Sequence, residues 1–179
     1  FPEEFRCTRS LAKTIRNAGF ESAIDRNFPA VIEACAAPRA QSTGTWITPE
    51  MMAAYVELHR RGYAHSIETW RGPELVGGLY GVRLGGVFFG ESMFSRERDA
   101  SKVALARLVD ACREAGIVVI DCQMSSAHLE SLGARRIPRA RFQSLVREHV
   151  TMKPAALRLP TPEPAAVVPD PRPPGPAPT

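Results

Sequence analysis

Hydrophobic and polar positions along the chain switch between the helical period and the strand period. Thr48-Pro49 supplies a cap and a preorganised first turn, and Gly62 stands where a left-handed residue often ends a helix, so residues 49–61 are predicted to be helical. Apolar residues spaced on one helix face predict a second long helix over 99–115. Shorter helices are predicted over 10–17 with Ser10 as its cap, from Asp25 or Asn27 through Cys35, over 126–132, and over 139–150.

Three runs after the helix over 49–61 have strand character. They cover 64–71, 75–84 and 87–90, and glycine-containing turns join them, which is typical of an antiparallel meander. The uninterrupted apolar run Ile117–Ile120 predicts a central strand covered on both faces. Brief strands are also predicted over 20–24 and 135–137. The pattern therefore predicts an α/β fold with a mixed sheet.

The helix over 99–115 connects two predicted strands as a β-α-β crossover, so these strands should be parallel with their carboxyl ends at one edge. Glu91 leaves the first strand at that edge, while Asp121 and Gln123 leave the second on one face and Cys122 turns to the other. Ligands of open sheets commonly bind beyond this edge. The three polar residues form a candidate active site; the alternative is that Glu91 caps the next segment and Asp121 is an ordinary turn residue.

Composition divides the chain into an ordered part and a tail. Ten of its 16 prolines follow residue 153, so 151–179 is predicted to be a disordered, Pro-rich tail that is dispensable for chemistry. Residues 46–150 are predicted to be the catalytic domain, with 1–45 a remnant of an N-terminal region and connecting helices. With 44% hydrophobic residues, no membrane-spanning run and no signal-peptide pattern, a soluble cytoplasmic protein is expected.

Two arginine-rich segments account for the net charge of +4. They could contact phosphate, although a modest charge also fits an ordinary solvated surface. The four cysteines lie far apart without metal-ligand spacing, so a reduced, metal-free protein is expected. The basic residues are Arg6, Arg9, Lys13 and Arg16 in one segment, and Arg135, Arg136, Arg139, Arg141 and Arg147 in the other.

A meander followed by this crossover is the layout of acetyltransferase-like (GNAT) folds, which makes an acetyl-coenzyme A-dependent N-acetyltransferase one candidate. Such enzymes bind the pyrophosphate with a glycine-containing loop before the crossover helix. The segment GESMFSRERDASK has no glycine after Gly90, so the backbone is poorly suited to that anion site. The layout favours the fold without favouring the cofactor.

Several long motifs occur in an order that resembles the leucyl/phenylalanyl-tRNA-protein transferase family. The resemblance runs from about Phe5 to Val146 and implies a GNAT-like fold from which the family's N-terminal region is largely missing. The motifs are TWITPEM at 45–51, GYAHSIETW at 62–70, ELVGGLYGV at 74–82, FFGESMFSR at 88–96, DASKVAL at 99–105, IDCQ at 120–123 and HLESLGARRIPR at 128–139.

The resemblance implies transfer of Leu, Phe or sometimes Met from aminoacyl-tRNA to proteins with an N-terminal Arg or Lys, which marks those proteins for degradation. No cofactor is implied, because aminolysis of an ester runs downhill without ATP, metal or coenzyme. The expected partners are charged tRNA and acceptor proteins, with no membrane, and a monomer is expected. A noncatalytic module that binds basic N-termini, and a hydrolase using Cys122 and His128, remain alternatives.

The family's site residues match positions in these motifs. Glu91 resembles the carboxylate that receives the acceptor's cationic residue, and Asp121 and Gln123 resemble the catalytic pair. A carboxamide is too weak a base to deprotonate an amine, so Gln123 is expected to orient a neutral amine while Asp121 or water takes the developing charge. The implied donor side-chain pocket comprises Leu79, Phe88, Met93, Leu105 and Leu108, with core packing as the alternative. Trp46 and Tyr55 resemble aromatic residues near the adenosine or donor, and Arg135, Arg136 and Arg139 are expected to contact the tRNA backbone.

Overall fold

The computed structural model describes residues 1–37 and 45–160. Within them, one five-stranded sheet has the order β1-β2-β3-β4-β5. No helix in these two ranges is long and apolar enough to cross a membrane. The strands are β1 (Glu21–Ile24), β2 (Ala64–Arg71), β3 (Glu74–Leu84), β4 (Val87–Ser95) and β5 (Val119–Asp121); the helices are α1 (Arg9–Asn17), α2 (Phe28–Ala36), α3 (Pro49–Arg60), α4 (Ala100–Ala115), α5 (Ala127–Ser131) and α6 (Arg139–His149), preceded by a 3-10 turn over Pro2–Glu4.

The sheet confirms the predicted α/β class, with its meander and its crossover. Strands β1 to β4 pair antiparallel in sequence order, whereas β4 and β5 are parallel and are connected through α4. The predicted start of α3 is also confirmed, because the Thr48 hydroxyl accepts a hydrogen bond from the Met51 N–H. The Thr8 hydroxyl, and not Ser10, caps α1.

Two hydrophobic clusters cover the two faces of the sheet. Helices α1 and α4 pack on one face, where Leu79 and Phe88 are buried. Helices α2 and α3 pack on the other face, where Phe28 and Tyr80 are buried. Because Leu79 and Tyr80 are neighbours on β3, strand alternation sends their side chains to opposite faces.

Three predictions about the strands are wrong. Strand β4 does not end at residue 90 but continues to Ser95, since β3 extends far enough to pair with it. Strand β5 lies at the edge of the sheet and not at its centre, because an apolar run reports burial and not the number of neighbouring strands. Residues 135–137 have no strand structure.

The chain segments at both ends of the described part pack on this sheet. Strand β1 pairs with β2, so residues before position 38 share the sheet with the predicted catalytic domain. Leu157 is buried in the α1/α4 cluster, and the Arg83 guanidinium donates to the Pro154 carbonyl at 2.8 Å. Leu157 and Pro154, both within the first ten residues of the predicted tail, therefore contact the domain, while 161–179 lie outside the described residues. The domain boundaries themselves stay predictions.

Candidate functional site

A cavity of about 600 Å³ lies at the carboxyl end of β5. Asp121 and Gln123 line one wall, and the aromatic rings of Phe1 and Phe5 line another. Apolar groups from α4 and α5 also line it, together with Arg135 and Arg136 from the segment before α6 and Arg139 at the start of α6. A hollow with apolar walls, a carboxylate, an amide and guanidinium groups can hold a partly apolar molecule that carries negative charge.

The Asp121 side chain holds the backbone of Gln123. The Asp121 Oδ1 accepts a hydrogen bond from the Gln123 N–H at 2.8 Å, and Gln123 has φ 58°, in the left-handed region. This region is unfavourable for residues with a side chain, and an Asx turn is one way to compensate for the strain. The arrangement fixes the direction in which the Gln123 carboxamide leaves β5.

Glu91 occupies a β-bulge in β4. Gly81 of β3 pairs with Gly90, and Tyr80 pairs with Ser92, so Glu91 is the extra residue between the two pairs. A Cβ at Gly81 would collide with the Phe89 carbonyl, so this bend requires glycine there. The sequence predicted that Glu91 leaves β4 at the end of the strand. In the structure Glu91 lies within β4, and the bulge changes the direction of its side chain.

The Glu91 carboxylate faces α3. Burial, the Glu91 charge and a hydrogen bond to Glu91, in that order, raise the pKa of Tyr55 to about 12. The Tyr55 ring contacts the Tyr80 ring edge-on, with centroids 5.1 Å apart. Glu91 therefore has a phenol as its neighbour, and it forms no salt bridge with any residue in 1–37 or 45–160.

Glu91 and Asp121 lie on neighbouring strands. Phe89 of β4 is aligned with Asp121 of β5, and a Cβ at Gly90 would lie 3.3 Å from the Asp121 carbonyl oxygen. Phe88 and Ile120, the preceding aligned pair, pack on the α1/α4 cluster, so alternation turns Asp121 toward the face on which Glu91 meets α3. Glu91 is nevertheless not among the residues that line the cavity.

The five residues predicted for the donor side-chain pocket belong to the α1/α4 face. Leu79, Phe88, Leu105 and Leu108 are at most 6% exposed, and Met93 packs partly buried against them. Of the five, Leu105 also lines the cavity. In the structure these side chains pack in the hydrophobic core, and Leu105 contacts both that core and the cavity.

The predicted aromatic pair is separated from the cavity. Trp46 is 50% exposed and Tyr55 lies beside Glu91, and neither lines the hollow. Trp46 is the second described residue after the gap at 38–44.

The three arginines predicted to contact tRNA have different surroundings. Arg135 binds both carboxylate oxygens of Glu4, at 2.7 and 2.9 Å, and its guanidinium carbon lies 4.8 Å from the centre of the Phe1 ring. Arg136 and Arg139 are exposed, and neither forms an ion pair with any residue in 1–37 or 45–160. Arg135 thus fastens the N-terminal segment over the cavity, while the other two remain available to an anion.

Cys122 does not turn away from the cavity as predicted but lines it between Asp121 and Gln123. Strand β5 ends at Asp121 and Gln123 has a left-handed backbone, so strand alternation does not fix the direction of the Cys122 side chain. Burial first, and then the Asp121 charge, raise the pKa of the Cys122 thiol, which disfavours a thiolate nucleophile. His128 does not line the cavity, and burial followed by Lys102 lowers its pKa. These surroundings do not favour a Cys-His hydrolase.

The segment before α4 lacks the glycine loop that coenzyme A-dependent acetyltransferases use for the pyrophosphate. No glycine lies between Gly90 and α4, and Asp99, the residue that precedes α4, has a left-handed backbone with φ 64° and a carboxylate near the helix start. A carboxylate there repels a pyrophosphate. Within the two described ranges, no three His, Cys, Asp or Glu residues are grouped as metal ligands.

The sequence did not identify Tyr80, nor Phe1 and Phe5, the N-terminal aromatic residues that line the cavity. Alternation along β3 could have identified Tyr80 as facing away from Leu79 and toward α3. Phe1 and Phe5 could not be found in this way, because the N-terminal segment is held at the cavity by the Glu4–Arg135 contact, between residues 131 positions apart.

Comparison with known proteins finds one family. Residues 1–147 match the model described as leucyl/phenylalanyl-tRNA protein transferase. Proteins named leucyl/phenylalanyl-tRNA–protein transferase are similar to the chain: that of Pseudomonas entomophila strain L48 is 59% identical over 150 residues, covering 84% of this chain and 66% of its own length. That of Chromobacterium violaceum is 56% identical over 150 residues, covering 84% and 64%.

A third relative, from Thiobacillus denitrificans, is 58% identical over 151 residues, covering 84% of this chain and 66% of its own length. The chain thus spans about two thirds of the length of the curated relatives it matches. Among solved structures, a transcriptional regulator from Bacillus halodurans C-125 covers 75% of this chain and 94% of its own with 12% identity and a TM-score of 0.44, a likeness too slight to support an inference.

Proposed function

The chain belongs to the leucyl/phenylalanyl-tRNA-protein transferase family, and from this we propose that it transfers Leu or Phe, and also Met, from aminoacyl-tRNA to proteins that begin with Arg or Lys. Extension by one such residue would mark the acceptor for degradation. The observation that supports this most is that the Asp121–Gln123 turn follows β5, the parallel neighbour of the strand that carries Glu91.

The reaction is the aminolysis of an ester. The neutral α-amine of the acceptor attacks the carbonyl carbon of the aminoacyl ester; a C–N bond forms, the C–O bond to the terminal ribose breaks, and one amine proton ends on the ribose oxygen. The products are an amide and a free hydroxyl, so the atoms balance without a cofactor. Holding amine and ester together can lower the barrier by about 7 kcal/mol or more.

Glu91 would bind the cationic side chain of the acceptor's first residue. Its neighbour Tyr55 is a neutral phenol, so the Glu91 charge would attract a guanidinium or ammonium group. Gln123 would then orient the acceptor amine, and Asp121 would hold Gln123 and stabilise the positive charge that develops on nitrogen.

The donor would approach through the cavity. Its terminal phosphates would meet Arg136 and Arg139, and its side chain would enter beside Leu105, where the hollow reaches the α1/α4 core. For a Leu or Phe side chain to occupy the predicted pocket, Met93 and its neighbours would have to move, which a flexible thioether side chain permits.

The test is a mass measurement on a peptide. The purified chain is incubated with Leu-tRNA and a peptide that begins with Arg, and the product should be heavier by one Leu residue at its N-terminus. A peptide beginning with Gly and an uncharged tRNA are the controls. Binding of the Arg peptide without any extension would favour the noncatalytic module. In a parallel reaction supplied with acetyl-coenzyme A in place of Leu-tRNA, extension of the peptide by an acetyl group would favour an acetyltransferase.

A further inference from the structure

Tyr80 carries a buried hydroxyl for which the fold provides no partner. Its side chain is 0% exposed, and within the described residues its hydroxyl is the one buried side-chain polar atom that makes no hydrogen bond. A buried hydroxyl without a partner destabilises the folded state, and phenylalanine would fill the same space without that cost. Its presence therefore calls for a reason outside stability.

Tyr80 touches the surroundings of Glu91 in two ways. Its ring packs edge-on against Tyr55, with centroids 5.1 Å apart, and against Phe28, with centroids 5.8 Å apart. Its backbone pairs with Ser92, the residue directly after the bulged Glu91. The unpartnered hydroxyl therefore belongs to a residue that contacts Tyr55 through its ring and the strand segment of Glu91 through its backbone.

An incoming cation would compete with Tyr55 for Glu91. Tyr55 is a neighbour of Glu91: after burial, the Glu91 charge and hydrogen bonding to Glu91 both raise the pKa of the Tyr55 phenol. A guanidinium group that binds a carboxylate through two parallel N–H bonds occupies both oxygens. The displaced Tyr55 hydroxyl would then need another acceptor in a partly buried place, and the Tyr80 ring is already in contact with the Tyr55 ring.

We propose that Tyr80 is a positioning residue of the acceptor site: its phenol oxygen accepts the Tyr55 hydroxyl once a cation has displaced it from Glu91. The inference rests on the proposed function, since it requires Glu91 to bind the acceptor. Tyr80 acts through Tyr55 and touches no substrate. When a cation binds Glu91, the Tyr55 hydroxyl thus exchanges one hydrogen-bond acceptor, Glu91, for another, Tyr80, and is not left without an acceptor.

The test is the Tyr80→Phe variant, which removes one oxygen atom. With saturating Leu-tRNA, its KM for an Arg-starting peptide should rise about 3- to 10-fold, the worth of one hydrogen bond, while kcat and the KM for Leu-tRNA stay within about 2-fold. Its Tm should equal or exceed that of the wild type, because the unpaired hydroxyl is gone. Tyr63→Phe, at a 48% exposed position, is the matched control and should change none of these values.

A double variant shows whether Tyr80 works through Tyr55. In the Tyr55→Phe background, Tyr80→Phe should raise the peptide KM no further, since no hydroxyl remains to be received. An unchanged peptide KM in Tyr80→Phe, or an equal rise with and without the Tyr55 hydroxyl, overturns the proposal for Tyr80 and leaves the proposed transfer intact. A wild-type chain that neither binds nor extends the Arg peptide overturns the proposed function and this inference with it.

Discussion

The Asp121 carboxylate accepts a hydrogen bond from the backbone N–H of Gln123 at 2.8 Å, and Gln123 itself has φ 58°. The contact means that Asp121 has a geometric role that is separate from its charge. Asparagine keeps a side-chain oxygen at the same position and loses the charge, so the two roles can be measured apart.

Asp121→Asn and Asp121→Ala should differ in kcat. If holding Gln123 is the larger contribution, Asp121→Asn keeps kcat within about 5-fold of wild type, whereas Asp121→Ala, which frees a strained turn, loses about 10-fold or more. Single-turnover rates of peptide extension measure both. Equal losses in the two variants would show that the charge of Asp121 outweighs its hold on the turn.

Arg136→Glu should weaken the binding of charged tRNA. Arg136 is exposed at the cavity without an ion pair to any described residue, and a lost phosphate contact lowers the salt dependence of binding by about one unit in the logarithmic slope. We expect the KM for Leu-tRNA to rise about 3- to 10-fold at low salt, with the peptide KM unchanged. Arg98→Glu, which changes the net charge equally at a position outside the cavity lining, is the control. Identical effects of the two variants would mean that overall charge, and not this surface, attracts the tRNA.

Stability should fall as the pH rises from about 10 to 12, and Tyr55 should account for part of the fall. Its pKa in the folded chain is raised to about 12, so the folded state keeps a proton that the unfolded state releases near pH 10. The stabilisation is complete below pH 10 and is lost as the pH approaches 12. Melting curves at pH 9, 10 and 11 should show a smaller decrease in Tm for Tyr55→Phe than for wild type.

The Glu91→Gln variant separates the causes of this shift. Burial is the largest cause and the Glu91 charge follows it, so the pH dependence of Glu91→Gln should lie between those of wild type and Tyr55→Phe. A Tyr55→Phe variant with the full wild-type decrease in Tm would show that other groups produce it.

The segment after α6 should contribute to stability although its composition resembles a linker. Leu157 is buried in the α1/α4 cluster, and Leu157→Ala should cost about 2 kcal/mol of unfolding free energy. Leu159→Ala, at a partly exposed position, should cost less than half as much. A chain that ends at residue 160 should unfold at the wild-type denaturant concentration, and one that ends at 153 should unfold earlier. Equal midpoints for the two shortened chains would mean that Leu157 adds nothing.

The sequence predicted the local elements well because their signals are local. The cap at Thr48, the glycine turns of the meander and the apolar face of α4 each depend on residues within a few positions of one another. The parallel pairing of β4 and β5 was also predictable, since a helix between two strands leaves few other topologies.

What depends on distant contacts was not predictable in the same way. Cys122 lines the cavity although alternation predicted otherwise, because β5 ends at Asp121 and the rule does not extend to the residue after it. The bulge at Glu91 depends on the register with Gly81 of the neighbouring strand, which no periodicity reports. The burial of Leu157 was hidden by the proline-rich composition around it. The motif resemblance identified candidate residues, but it did not show which of them line the same cavity.

The central claim is that Glu91 binds the cationic side chain of the acceptor's first residue beside the Asp121–Gln123 turn. Its most direct measurement is the ratio of kcat/KM for Arg-starting and Gly-starting peptides, in wild type and in Glu91→Gln. We predict a wild-type ratio of about 10 or more, the worth of one charged hydrogen-bonded pair, that falls toward one in Glu91→Gln through loss of the Arg peptide alone. An unchanged ratio in Glu91→Gln would contradict the assignment of the acceptor site.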